Sequence, residues 1–324
     1  MSLKIANLSK RFGNNWVYRD VSLEVQNGEI VGIFGPSGAG KSVFMNAIAG
    51  NEPVNGGSIH YNDVDVTKLS RSDRGFHSPV TSDRSIWKSL FKSNKASGIA
   101  DGEAQRAALD SALLNAEGVL LLDNSFCKMD VQRRQASFKK LRDSAREKNL
   151  AILFASNDYE EILSVCDRVA IFAAGGIRQI GVPQDVYENP ESAVVALATG
   201  RNNLFEARRL TSSKADIPQF QTIVGEHRIH TKKVEKNNLG ALNQNVVLGI
   251  RPEQISISFG ASFPEDNLLK ATVTGVQFMG ATTLIELDAN GLKLEALVLR
   301  LVGLKPGDEC MVGLPPERIL IFNK

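Results

Sequence analysis

The stretch Gly35-Pro36-Ser37-Gly38-Ala39-Gly40-Lys41-Ser42 constrains this chain more than any other. An apolar run, Ile30 to Phe34, precedes it and reads as a buried strand; Ser42 to Ala49 follows and reads as a helix. Between a strand and a helix, closely spaced glycines let successive backbone N–H groups turn inward around oxygen atoms without a Cβ in the way. The helix N-terminus then adds its positive pole. The pattern predicts a phosphate-binding loop in which Lys41 reaches the β- and γ-phosphates and the Ser42 hydroxyl ligates Mg²⁺. An ordinary Gly-rich strand-to-helix turn is the bland alternative, and it does not require the Lys-Ser pair at this spacing.

A chain of 324 residues is too long for one ordinary core, and two domains are expected, 1–200 and 201–324. The formal net charge of +2 gives no global drive towards nucleic acid or anionic lipid. Basic pairs such as Lys139-Lys140 and Lys232-Lys233 read as solvated faces. Cys127, Cys166 and Cys310 are odd in number and widely spaced, which argues against a disulfide framework or a zinc site and for a reducing compartment. Met1-Ser2-Leu3-Lys4 leads directly into strand-like sequence, and no apolar run approaches membrane-spanning length, so membrane association is expected to come through a partner.

Leu3 to Phe12 and Val21 to Val25 read as short strands about a turn at Gly13-Asn14-Asn15. Phe12, just before that turn, either stacks on a nucleobase or packs on the core. Gly56 to Tyr61 reads as a further strand pair; Arg71 to Lys95 reads as loops with one short helix around Ser85 to Phe91. Glu103 to Ala116 carries an apolar helical stripe. Val119-Leu120-Leu121-Leu122 then reads as a strand buried on both faces, with Asp123 at its C-terminal edge, where an acid can hold Mg²⁺ through water. A charged helix, Val131 to Lys148, a buried strand, Leu150 to Ala155, Asn157-Asp158, a short helix and the strand Arg168 to Phe172 complete an open, largely parallel sheet covered by helices.

Taken with the phosphate loop, several further motifs carry a family resemblance: Gly102-Glu103-Ala104-Gln105-Arg106, Leu120-Leu121-Leu122-Asp123, Cys166-Asp167-Arg168-Val169, Gly181 to Pro190 and Gly249-Ile250-Arg251-Pro252-Glu253. Over nearly its whole length the chain resembles the ATP-binding subunits of ABC importers, in the branch that includes the maltose, polyamine and ferric-ion systems. That resemblance implies an α/β P-loop NTPase, an ABC cassette with a mixed sheet covered by helices, followed by a small all-β, OB-like barrel of the TOBE type with a role in dimerisation and regulation. It implies ATP and Mg²⁺ as cofactors, bound by Phe12, Gly35, Pro36, Ser37, Gly38, Ala39, Gly40, Lys41 and Ser42, with Ser42 and Asp123 at the metal. It also implies a dimer of nucleotide-binding domains on two transmembrane permease subunits at the cytoplasmic face of the membrane, served by an extracytoplasmic solute-binding protein; no nucleic acid is involved.

The departures from the family pattern are the informative part. Where the family places a glutamate after Asp123 to polarise the attacking water, this chain has Asn124, and where it places a γ-phosphate histidine, Asn157. An amide can orient water but cannot take its proton. The signature Leu-Ser-Gly-Gly-Gln aligns with Ile99-Ala100-Asp101-Gly102-Glu103, so its serine becomes Ala100 and its first glycine Asp101, expected to cap the signature helix. No glutamine stands between Gln26 and Gln105, and the segment from Lys41 to Asp123 is short, so the helical subdomain that grips a permease is reduced. The expectation is a non-catalytic Mg-ATP-binding subunit paired with an intact second ATPase in an importer, for carbohydrate or polyol by preference. The alternatives are a fully active transport ATPase for sugar, polyamine or ferric ion, and a nucleotide-sensing regulator without a permease.

Overall fold

The computed structural model describes residues 2–79, 99–211, 217–232, 241–259, 266–299 and 303–323. The short helix expected around Ser85 to Phe91 lies outside them, as do the side chains of Ile99, Ala100 and Asp101. Two compact units form, Met1–Glu188 and Asn189–Lys324, so the helix preceding the expected boundary at 200/201 groups with the second unit.

In the first unit, β1 (Ser2–Phe12) and β2 (Asn15–Gln26) make a hairpin. With β4 (Gly56–Tyr61) and β5 (Val64–Asp65) they form an antiparallel sheet ordered β2-β1-β4-β5. The second sheet is ordered β6-β7-β3-β8-β9: β3 (Ile30–Phe34), β6 (Val119–Asp123), β7 (Ala151–Ser156) and β8 (Arg168–Ala173) run parallel, and β9 (Gly176–Gly181) closes the edge antiparallel. The sheet is therefore mixed, as the family resemblance implied, and the hairpin strands stand apart from its parallel core. A two-residue turn can only join antiparallel neighbours, whereas each parallel step needs a crossover.

The crossovers are helical. They comprise α1 (Lys41–Ala49), the single turn α2 (Arg71–Arg74), α3 (Ile99–Asn115), α4 (Val131–Glu147) and α5 (Tyr159–Val165), with α6 (Pro183–Glu188) closing the unit. The parallel strands Ile30–Phe34 and Ala151–Ser156 are buried at every position, as strands covered on both faces must be.

Both sheets share one core with α1. Phe44 of α1 lies 5.5 Å from Tyr18 of β2 and 5.5 Å from Phe172 of β8, so one aromatic cluster sets the helix against both sheets. At the other end of α1, the buried Arg74 donates to the carbonyls of Ala47 at 2.8 Å and Ile48 at 2.6 Å, satisfying acceptors that the helix end leaves open. The phosphate loop thus leads into a helix held at both ends.

The second unit opens with α7 (Ala193–Ala198) and is otherwise β-rich. β10 (Asn203–Leu210), β11 (Gln219–Thr222), β12 (Arg228–His230), β13 (Asn245–Ile250) and β19 (Leu320–Asn323) form one five-stranded sheet. β14 (Ser256–Ser258), β15 (Asn267–Phe278), β16 (Thr282–Ala289), β17 (Leu292–Leu299) and β18 (Glu309–Leu314) form the other. Among the described residues the expected small barrel takes the form of two antiparallel sheets closing on one apolar core. Arg251, 2% exposed, donates to Ala196 O, to Arg201 O and to the Thr199 hydroxyl, which ties α7 to this unit.

Candidate functional site: a phosphate loop with an amide in place of the acid

The parallel strands end level with one another: Phe34 pairs with Ser156, and Asp123 with Ala155, so the phosphate loop, Asp123 and the Ser156-Asn157 corner all leave the same edge of the sheet. In an open α/β sheet this C-terminal edge is where ligands bind.

The loop fits a triphosphate. Gly38 and Gly40 have φ of 80° and 101°, conformations that glycine adopts without strain. A Cβ at Gly35 would stand 1.9 Å from the Phe172 carbonyl oxygen, so the loop can pack there only as glycine, while a Cβ at Gly38 would meet open space. No side chain caps the N-terminus of α1 and no acid stands in its first turn, which leaves its positive pole available to an anion. Lys41, 5% exposed, donates to the carbonyls of Gly35 at 2.6 Å and Pro36 at 2.9 Å. Burial lowers its pKa, opposed by the charge of Asp123. The Asp123 carboxyl is raised by burial, against the Ser42 hydroxyl that donates to it and the Lys41 charge. Ser42, Lys41 and Asp123 therefore meet at one point, and a hydroxyl beside a carboxylate is an oxygen donor set suited to Mg²⁺.

Phe12 is 52% exposed, so it is not a core aromatic. It sits opposite Asn15 at the hairpin tip, with Lys10 Nζ 4.8 Å from its ring centroid. Val17, further along β2, lies against Gly40, where a Cβ would come within 2.8 Å of its Cγ1.

Asn124 takes a left-handed backbone, φ 47°, which asparagine tolerates better than most residues. Its Nδ2 donates to Asp123 Oδ1 at 3.3 Å, and its N–H donates to Ala155 O at 2.8 Å. Asn157 is exposed at the end of β7, on a corner held by Ser156, whose hydroxyl donates to Glu161 at 2.6 Å and accepts from the Asp158 N–H at 3.0 Å.

The signature-aligned stretch requires a correction. α3 is described from Ile99, so Asp101 lies within a helix instead of ahead of one starting at Glu103. Gly102 is buried, and a Cβ on it would come 2.6 Å from Lys128 O; Glu103 reaches Arg133 at 3.4 Å.

Sequence reading missed Gln105. One helical turn past Gly102 and 6% exposed, it donates through Nε2 to Asn124 O at 3.1 Å and accepts through Oε1 from the Lys128 N–H at 2.9 Å. Both ends of the loop after β6 are thereby tied to the signature helix. The available signal was spacing alone: Gly102 and Gln105, three apart, share a helix face.

Fold and site together define a P-loop nucleotide-binding cassette that carries an all-β appendage. A family model described as ABC transporter matches residues 18–91, and one described as TOBE domain matches 248–322. Three relatives align over most of both chains. The spermidine/putrescine import ATP-binding protein PotA of Mesoplasma florum is 27% identical over 85% of this chain and 86% of its own. The Fe(3+) ions import ATP-binding protein FbpC 2 of Rhizobium meliloti is 27% identical over 94% and 87%. The sulfate/thiosulfate import ATP-binding protein CysA of Bacillus cereus is 28% identical over 99% and 98%. Among solved structures, a nucleotide-free ATP-binding cassette from an ABC transporter superposes with a TM-score of 0.51 at 18% identity, covering 62% of this chain and all of that one. The ADP conformation of the cassette MJ1267 gives 0.51 at 17%, covering 61% and 99%, a likeness of fold alone. The chain thus carries an ABC transporter region and a TOBE region, and over most of its length it is similar to import ATP-binding proteins.

Proposed function

We propose that this subunit binds Mg²⁺-ATP and holds it without efficient hydrolysis, as the non-catalytic member of a heterodimeric importer ATPase. The observation that carries this is the pairing of an intact Lys41-Ser42-Asp123 cluster with an amide at Asn124. Loss of a general base removes a contribution of about 10²- to 10⁴-fold, or roughly 3 to 5 kcal/mol of barrier, enough to nearly silence a slow ATPase. Asn157, with shorter reach than a histidine and no charge to gain, weakens the γ-phosphate contact further. The chain's own residues bind the triphosphate at the start of α1, orient the metal through Ser42 and Asp123, and present Phe12 to a base. They offer no group to accept a proton from water at position 124.

Pairing follows from the two faces of a cassette. In a homodimer both composite sites would carry the defect. Beside an intact relative, this chain supplies a holding site from its own phosphate loop, and the partner's nucleotide faces the altered stretch from Ile99 to Glu103. Two permease subunits and, through them, a solute-binding protein complete the assembly, as for import ATP-binding subunits generally, which places the chain at the cytoplasmic face of a membrane. Among the described residues no helix is long and apolar enough to cross one. For the solute, the proposal of a carbohydrate or polyol stands beside the polyamine, ferric-ion and sulfate/thiosulfate names of the relatives; selection belongs to the permease, and identifying the permease that co-purifies decides among them.

The direct test is the purified chain alone. Saturable ATP binding with no turnover above background is expected, together with capture of a second ATPase subunit on pull-down from the native host. Turnover at ordinary transporter rates without a partner, or no ATP binding, would defeat the reading.

A further inference from the structure

We infer that Asn124 is a positioning residue for the magnesium-holding carboxylate of Asp123, so that the place emptied of water activation serves retention of the metal-nucleotide. This rests on the holding function proposed above and assigns that function a device.

Three features converge on position 124. The side-chain amide donates to Asp123 Oδ1 at 3.3 Å, which a glutamate at the same place could not do, having no donor and a like charge. The backbone stands at φ 47°, a conformation asparagine accepts more readily than most residues. The residue is also held on both sides of its Cα. Its N–H donates to Ala155 O at 2.8 Å, and its C=O accepts from Gln105 Nε2 at 3.1 Å, while Gln105 Oε1 takes the Lys128 N–H from the far end of the same loop at 2.9 Å. The main chain is thus fixed at both peptides, and the side-chain amide is directed by its own hydrogen bond to Asp123. A carboxylate already held by a hydrogen bond has lost part of the rotational freedom that fixing it to a cation would otherwise cost.

Partners of this kind, hydrogen-bonded to a metal-holding carboxylate, typically contribute about 10- to 100-fold in metal affinity. The 3.3 Å separation is long for such a contact, which puts the expectation at the lower end.

The test uses the full-length chain and its Asn124→Gly variant, because glycine removes the amide and accepts the positive φ without strain. Binding of a fluorescent ATP analogue is measured in EDTA and across a Mg²⁺ titration, with no reliance on turnover. The variant is expected to need about tenfold more Mg²⁺ to reach half of the magnesium-linked gain in affinity. Its affinity for the analogue in EDTA should stay within about twofold of the parent, which shows that the pocket is folded. A variant with the parent's Mg²⁺ dependence would overturn the positioning role and leave the holding function standing. A parent chain that binds the analogue equally well with and without Mg²⁺ would overturn the positioning role as well. A parent chain that binds no nucleotide in either condition would overturn the holding function itself.

Discussion

At the scale of single residues, the loop's glycines and the amide after Asp123 divide the work between shape and chemistry. Gly35 is a matter of space. Its missing Cβ lets the loop lie on the Phe172 carbonyl, and Gly35→Ala, which would put a methyl 1.9 Å from that oxygen, is expected to destabilise the first unit by more than about 2 kcal/mol in urea denaturation, even in the absence of nucleotide. Asn124 is a matter of chemistry and of backbone together. Asn124→Glu would supply a carboxylate, yet it would remove the amide donor, set a like charge against Asp123 and replace an asparagine suited to the left-handed backbone. The expected outcome is a lower melting temperature and no recovery of turnover in the isolated chain, measured by phosphate release.

At the scale of elements, α3 and the loop after β6 act as one piece. Gly102 allows close approach to Lys128 O, and Gln105 closes hydrogen bonds at both ends of the loop. Gln105→Leu would take the partner from the Asn124 carbonyl and the Lys128 N–H, at about 0.5–1.5 kcal/mol for each of these part-buried hydrogen bonds. Hydrogen exchange is expected to accelerate at the Lys128 amide and its loop neighbours, with the amides of β3 and β7 unchanged; uniform acceleration across the unit would mean a global loss of stability instead of a local release. Helix α3 is thus joined mechanically to the residue beside Asp123.

At the scale of the whole molecule, two units carry separate cores, and a perturbation of one should leave the other's properties in place. Arg251 holds α7 to the second unit through Ala196, Thr199 and Arg201. Arg251→Ala removes a buried guanidinium and orphans those acceptors, so a cost of about 3 kcal/mol is expected in the second unit, read as a separate early transition in thermal unfolding. The affinity for ATP should not change, because no residue of the phosphate loop depends on that contact.

Local grammar was enough to nominate a candidate nucleotide site. The spacing of glycines before Lys41-Ser42, the apolar run ending in Asp123 and the two asparagines that replace an acid and a histidine are statements about neighbours in the chain, and backbone rules act over that range. The same grammar could not say that Phe12 is exposed, that Asn124 turns left-handed, that the first hairpin leaves the parallel sheet, or that Gln105 reaches across 19 residues to hold the loop beside the metal. Those are outcomes of packing between segments far apart in sequence, where each side chain's partner is chosen by the folded core, because burial obliges every polar group to find one.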